Sequence, residues 1–325
     1  MKRREFLKTT AAGVVVSSLG RFAPPLRAAD AIAQVAVVRT RNRAEGIASA
    51  MKLIDFPSPR GRKVLLKPNF NTADTFPGST HSDTLRNLVL EMKARGAAGV
   101  TVGESCGPGT TKDVMAKLGI PALSREIGFD IIDFDELPES DWVHCDPPGS
   151  HWKNGFGVAR PILEADYLLW TPCLKTHGFG GVHSMAIKLA VGVIHRNVRM
   201  PMHGDAVNMR RMIAEIHHGF KPQLIVMDGI DIFVDGGPMT GKLVRADVMV
   251  AGTDLIAVEA VGLAVLKHHG SNDAIMSRRI FEQEQVARAV EMGLGVKSPG
   301  QIKIVTGDRE SAAYAAKLNQ ILAEG

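Results

Sequence analysis

The sequence predicts an α/β fold, a largely parallel or mixed sheet flanked by helices. Three observations carry that prediction. Short apolar runs of strand length alternate with segments of helical period. The junctions between them collect glycine, proline, asparagine and aspartate, the residues that end strands and open turns. Strands spaced by helices of this length need crossover connections, and crossovers leave consecutive strands parallel.

In chain order, strands are predicted over residues 32–39 and 63–67, with a charged helical segment between them. A helix follows over 84–95, starting at Thr80-His81-Ser82, where a Thr or Ser N-cap suits the first turn and His81 suits the surface. Next come a strand over 100–103 and a helix from Thr110. Further strands fit 167–172, 223–227, 247–251 and 301–305, and helical patterns mark 184–193, 209–216, 255–267 and 311–322. Asp254 is the natural N-cap of the helix over 255–267. Glu259, alone on that apolar helix, needs a partner if buried. Residues 137–156 hold Pro138, Pro147 and Pro148 with several glycines and read as a long loop, either a boundary between two lobes or a lid.

The first 29 residues read as a leader and the remainder, 30–325, as the folded domain. Arg3 and Arg4 stand in MKRREFLK, ahead of a mildly apolar stretch too short to span a bilayer and a small-residue end near Ala28. That order of parts implies a twin-arginine signal, export by the Tat machinery and a periplasmic working protein. Six basic side chains and one acid leave with the leader, so the net charge falls from +5 to zero. The basic balance of the whole chain therefore gives the domain no electrostatic reason to bind nucleic acid or an anionic membrane surface. No second apolar stretch is long enough for a membrane span.

Candidate functional residues sit where predicted strands end, the edge at which open α/β sheets bind ligands. After the strand KVLLK, Lys67 suits an anionic group, with Asn69 and Asn71 placed to hydrogen-bond it or to cap the local turn. Glu104 opens a glycine-rich turn, Gly103 to Gly109, that is neither a Walker loop nor a complete dinucleotide fingerprint; Glu104 there suits a metal ligand or a base. The densest constellation runs from Lys175 through His177, His183, Lys188 and His195 to His203, four histidines and two lysines within 29 residues. Gly178, Gly180 and Gly181 let backbone approach a ligand, and Ser184 suits a cap for a helix carrying Lys188. Imidazoles are common ligands of transition metals, so His177, His183, His195 and His203 form a candidate metal set, with Glu104 or Asp228 to complete it. Asp228 and Asp235 stand beside glycines and suit a bound cation, a hydroxyl substrate or a basic side chain, or equally a plain turn. Cys106, Cys145 and Cys173 have no CxxC neighbour, which argues against an iron–sulfur cluster and leaves one disulfide or three buried thiols.

The ordered blocks KPNFN, THSDTLRNLV, VGES, ADYLLWTPCLKTHGFGGVHSMAIKLAVGVIH, VMDGIDIFVDGGPMTG and VMVAGTDLIAVEAVGL resemble the domain-of-unknown-function family DUF362 across most of the chain. The resemblance implies an α/β domain without an assigned activity. Many members of that family carry cysteine-rich ferredoxin segments, which this sequence lacks. Residues 174–188 are also similar to the catalytic subunit of nickel-dependent lactate racemase, and that similarity implies a cofactor-bearing role for Lys188 beside His177. This sequence departs from that pattern: it lacks the serine-glycine-glycine run before the lysine, and its histidine lies one residue farther away.

Two expectations follow. One is a periplasmic metal- or cofactor-dependent enzyme acting on a small anionic substrate, with Lys67, Glu104, Lys175, His177 and Lys188 in the chemistry and Asn69, Asn71, Gly180, Gly181, Asp228 and Asp235 holding the substrate. The other is a periplasmic protein that binds a small molecule or metal without catalysis.

Overall fold

The computed structural model describes residues 32–325; the leader read over residues 1–29 lies outside the described residues. Twelve strands are described: β1 (Ala33–Arg39), β2 (Lys63–Pro68), β3 (Gly99–Glu104), β4 (Asp130–Asp133), β5 (Trp142–Cys145), β6 (Phe156–Ala159), β7 (Tyr167–Thr171), β8 (Cys173–His177), β9 (Val182–Ser184), β10 (Leu224–Gly236), β11 (Gly241–Gly252) and β12 (Ile302–Val305). The helices are α1 (Arg43–Lys52), α2 (Ser82–Ala94), α3 (Thr111–Lys117), α4 (Ile120–Ile127), α5 (Arg160–Leu163), α6 (Arg196–Gly204), α7 (Met209–Glu215), α8 (Leu255–His268), α9 (Asp273–Met276), α10 (Glu284–Glu291) and α11 (Arg309–Glu324).

The main sheet runs β12-β1-β11-β10-β7-β2-β3-β4, and β8 with its partner β9 branches from β10. From β10 to β4 every neighbour on this path is parallel, as crossover helices require, while β11 lies antiparallel to both β1 and β10. Successive side chains of a strand face opposite sides, and here both sides are buried. Val35, Val37, Leu65, Leu168 and Trp170 join one apolar cluster with α8, α10 and α11. Ala36, Val38, Val64, Leu66, Tyr167 and Leu169 join a second with α1, α2, α3 and α4. Strands buried on both faces read as continuous apolar runs, which is how AVV, VLL and YLLW stand in the sequence.

Helix starts follow local chemistry. The Asp254 side chain accepts from the Ala257 amide at 2.9 Å and opens α8. His81 itself is the cap of α2, its Nδ1 accepting from the Asp83 amide at 3.1 Å, where Thr or Ser was the sequence expectation. Glu259 meets His183 inside the apolar helix layer, its Oε1 lying 2.7 Å from the ring Nδ1.

Three expectations need correction. Residues 184–193 are not a helix. Val182–Ser184 returns antiparallel on β8, and Lys188–Val193 is a 3-10 segment. The Ile187 amide donates to Glu259 Oε2 at 2.8 Å, and Ile187, Leu189 and Val193 are drawn into the core, so tertiary burial overrides helical period. The strands read over 223–227 and 247–251 are longer and form one hairpin, because the chain passes Gly229 with a register shift instead of ending there. Residues 137–156 are not one open loop. Trp142–Cys145 pairs with Phe156–Ala159, and the indole of Trp152 is buried, donating to the Met212 carbonyl at 3.0 Å. Among the described residues no helix is long and apolar enough to cross a membrane.

Candidate functional site

The site is built on the carboxyl ends of β2, β3 and β8. Lys67 and Glu104 end adjacent parallel strands, so their side chains meet, and the Lys67 amine donates to Glu104 Oε1 and, at 2.8 Å, to the Pro68 carbonyl. Glu104 also accepts from the amides of Phe70 at 2.8 Å and Ser105 at 2.9 Å. Both charged groups are buried. Burial lowers the Lys67 pKa and raises that of Glu104, and each one's charge opposes the other's shift. Gly192, on the 3-10 segment, closes over this pair: a Cβ there would lie 2.6 Å from Glu104 Oε1 and 2.7 Å from Lys67 Nζ.

The tight return from β8 to β9 sets the second group. A Cβ on Gly181 would meet both His177 Nδ1 at 2.8 Å and Lys188 Cε at 3.0 Å, so the missing side chain is what lets histidine and lysine approach one backbone position. His177 Nδ1 accepts from the Gly181 amide at 3.3 Å, which leaves the ring proton on Nε2. Burial, then the charge of Lys188, holds His177 far below the usual histidine range, and it is neutral. His203 lies with its ring 6.0 Å from that of His177, and its Nδ1 is 2.7 Å from the Arg199 carbonyl. A carbonyl only accepts, so His203 keeps its proton on Nδ1 and presents Nε2 as an acceptor.

These groups line a cavity of about 710 Å³. Lys67, Lys188, Arg196, Arg199 and Arg210 line it against the one carboxylate of Glu104. The three arginines are held in place. Arg199 donates to the carbonyls of Ser105, Cys106 and Ile194, Arg196 to those of Gly107 and Gly109, and Arg210 to Glu284 and the Gly180 carbonyl. Lys188 differs. It is 7% exposed, and among the described residues its amine has no hydrogen-bond acceptor and no opposite charge. Burial, with Lys175 and Arg199 nearby, lowers it to about 7. Asn69, also on the wall, has a buried Oδ1 without a donor.

The residues singled out in the sequence therefore divide. Lys67, Asn69, Asn71, Glu104, His177, Gly180, Lys188 and His203 line the cavity. Gly181 lies beside His177 and Lys188 as backbone. Lys175 stands behind the wall, its amine tying the carbonyls of Gly78 at 2.5 Å and Pro238 at 2.9 Å, with burial lowering it to about 8. Asp228 is a correction as a substrate residue: it lies within β10 and is not among the lining residues, and it accepts from the basic side chain of Arg43 at 2.7 Å and from Thr84 at 2.5 Å. Asp235 is exposed and accepts from the Gly236 amide, a turn contact.

The four histidines do not converge either. His183 is sequestered against Glu259, and His195 caps α6 while stacking edge-on against Trp142 at 4.7 Å. Among the described residues no three His, Cys, Asp or Glu side chains come together as a metal site. The three cysteines are free thiols, and burial raises Cys173 to about 11. Sequence reasoning missed Arg199 and Gly192, and it met Arg196 within the histidine-rich stretch without giving it a role. The signal for the arginines was present: Arg196, Arg199 and His203 stand at helical spacing, which puts them on one face of α6.

Fold and site together define an α/β protein with a cation-lined cavity at the carboxyl edge of its sheet. The chain belongs to the family described as domain of unknown function (DUF362), whose model matches residues 64–264. It is 24% identical over 217 residues to the "Thylakoid-associated protein sll1697" of Synechocystis sp. (strain ATCC 27184 / PCC 6803 / Kazusa), covering 64% of each chain. The match thus spans somewhat under two thirds of that relative. Among solved structures, the lactate racemase apoprotein from Thermoanaerobacterium thermosaccharolyticum is similar with a TM-score of 0.36 at 12% identity, over 89% of this chain and 86% of that one. At that TM-score the likeness carries no argument about chemistry.

Proposed function

We propose that this protein is an acid–base enzyme that binds a small anionic molecule in the cavity and moves a proton to or from it through Lys188. The observation that supports this is the Lys188 amine, unpartnered among the described residues, beside a neutral His177 and inside a cationic wall. With a value of about 7, the amine is in large part the free base at neutral pH, able to accept a proton from carbon or oxygen. His177 offers an Nε2 proton to an oxygen of the bound molecule, and the anchored arginines favour negative charge without spending side-chain entropy on binding. Lys67 and Glu104 compensate one another and fix the cavity floor. The proposal also places the working protein in the periplasm, on the strength of the arginine pair and apolar stretch in residues 1–29.

Solvent deuterium exchange tests it. Incubating the purified protein in D2O with a panel of 2-hydroxy and 2-oxo carboxylates, followed by NMR, is expected to show deuterium entering at least one member at carbon. Lys188→Met should abolish the exchange, and His177→Ala should slow it by roughly a hundredfold or more. Anion binding that depends on Lys188 with no exchange in any member would instead support a binding protein, a reading favoured by arginines already committed to backbone carbonyls.

A further inference from the structure

The most exposed residues that line the cavity are apolar, with Arg196 beside them, whereas its cations Lys67, Lys188 and Arg199 are buried. Phe179 and Met200 line it and are 61% and 77% exposed, and Met209 lines it from α7. Val207, one residue beyond the lining Ala206, is 70% exposed. Isolated apolar side chains on a surface need no explanation, but several grouped at one opening mark a contact surface for an apolar group. The size agrees. At about 710 Å³ the cavity falls in the range that accommodates ligands of drug size, well beyond a two- or three-carbon acid. Charge sets the other end. Every arginine in the wall is tied to backbone or to Glu284, so Lys188, whose protonated form a bound anion favours, matches one anionic group, not an extended polyanion.

We infer that the ligand is an amphipathic anion, with one small anionic head beside Lys188 and His177 and an apolar tail lying over Phe179 and Met200 at the mouth. This rests on the anion-binding reading above and names the class of molecule bound there. Phe179 links the two regions, since its ring stands edge-on to His177 at 6.1 Å.

Isothermal titration calorimetry on the full chain tests the inference with butyrate and octanoate, and with butyl and octyl phosphate, all below micellar concentrations. A fully buried methylene is worth about fourfold in affinity, so the eight-carbon member of at least one pair is expected to bind at least about tenfold more tightly than its four-carbon partner. Phe179→Ser with Met200→Ser should bring that ratio close to one. Both side chains are exposed, so the circular dichroism spectrum should stay unchanged. Lys188→Met should weaken both members of the pair equally. Equal binding of short and long members, still dependent on Lys188, overturns the amphipathic class and leaves the anion-binding reading standing. A length dependence that survives the double rim variant overturns the placement of the tail. Binding by neither pair that depends on Lys188 overturns the anion-binding reading and this inference with it.

Discussion

At the scale of single residues, the environment of Lys188 sets its charge. A buried amine without an opposite charge is more stable neutral, so Lys188 gives up its proton at about 7 where an ordinary lysine holds it to 10.5. Trinitrobenzenesulfonate, an anionic reagent that attacks free amines, should label Lys188 with a half-maximal rate near pH 7, read by peptide mass spectrometry. Labelling that climbs only near pH 10, as at surface lysines, would contradict the assignment. The sign for stability follows from the same shift. Between about 7 and 10.5 the unfolded chain holds a proton that the folded chain has released, so this group adds stability as pH rises through that window. In urea unfolding, the wild type should gain more stability between pH 7 and 9 than Lys188→Met does. At the paired end of the site, Glu104→Gln leaves Lys67 buried without a countercharge and should cost about 3–5 kcal/mol in the same measurement. The cluster of lysines and histidines was visible in the sequence as density. Which of them reach one space was not, because His183 and His195 differ from His177 only in what packs against them.

At the scale of elements, the segment from Lys188 to Val193 shows where periodicity misleads. Its apolar spacing suits a helix, yet the turn at Gly178 to Gly181 folds the chain back on β8 and delivers it as a 3-10 segment, and the amide of Ile187 just before it donates to Glu259. That geometry brings Gly192 over the Lys67–Glu104 pair with no room for a side chain. Gly192→Ala should therefore lower stability by about 1–3 kcal/mol in urea unfolding, since the atoms it meets are fixed by a buried ion pair. An unchanged midpoint would mean that the segment shifts freely. By contrast, α8 follows its sequence closely, because Asp254 caps it and its residues are apolar all round, so burial and period agree.

For the whole molecule, the two apolar clusters lie on opposite faces of one continuous sheet, and residues 137–156 pack on the same cluster as Trp170. Thermal unfolding should therefore be one cooperative event, with a single calorimetric peak that coincides with loss of tryptophan fluorescence and of far-UV circular dichroism. Two separated peaks would show that the lobes expected from the proline-rich segment unfold independently. The sequence by itself determined the α/β class, most strands of the main sheet and the ends at which Lys67 and Glu104 stand, because period and turn chemistry are local properties; it did not show β8, at whose end His177 stands. Only the tertiary structure decided that Asp228 faces Arg43, that His183 meets Glu259, and that Arg199 and Gly192 reach the cavity. Those outcomes depend on register and packing between segments far apart in the chain. Helical spacing sets Arg196, Arg199 and His203 on one face of α6, but no local pattern says what that face meets.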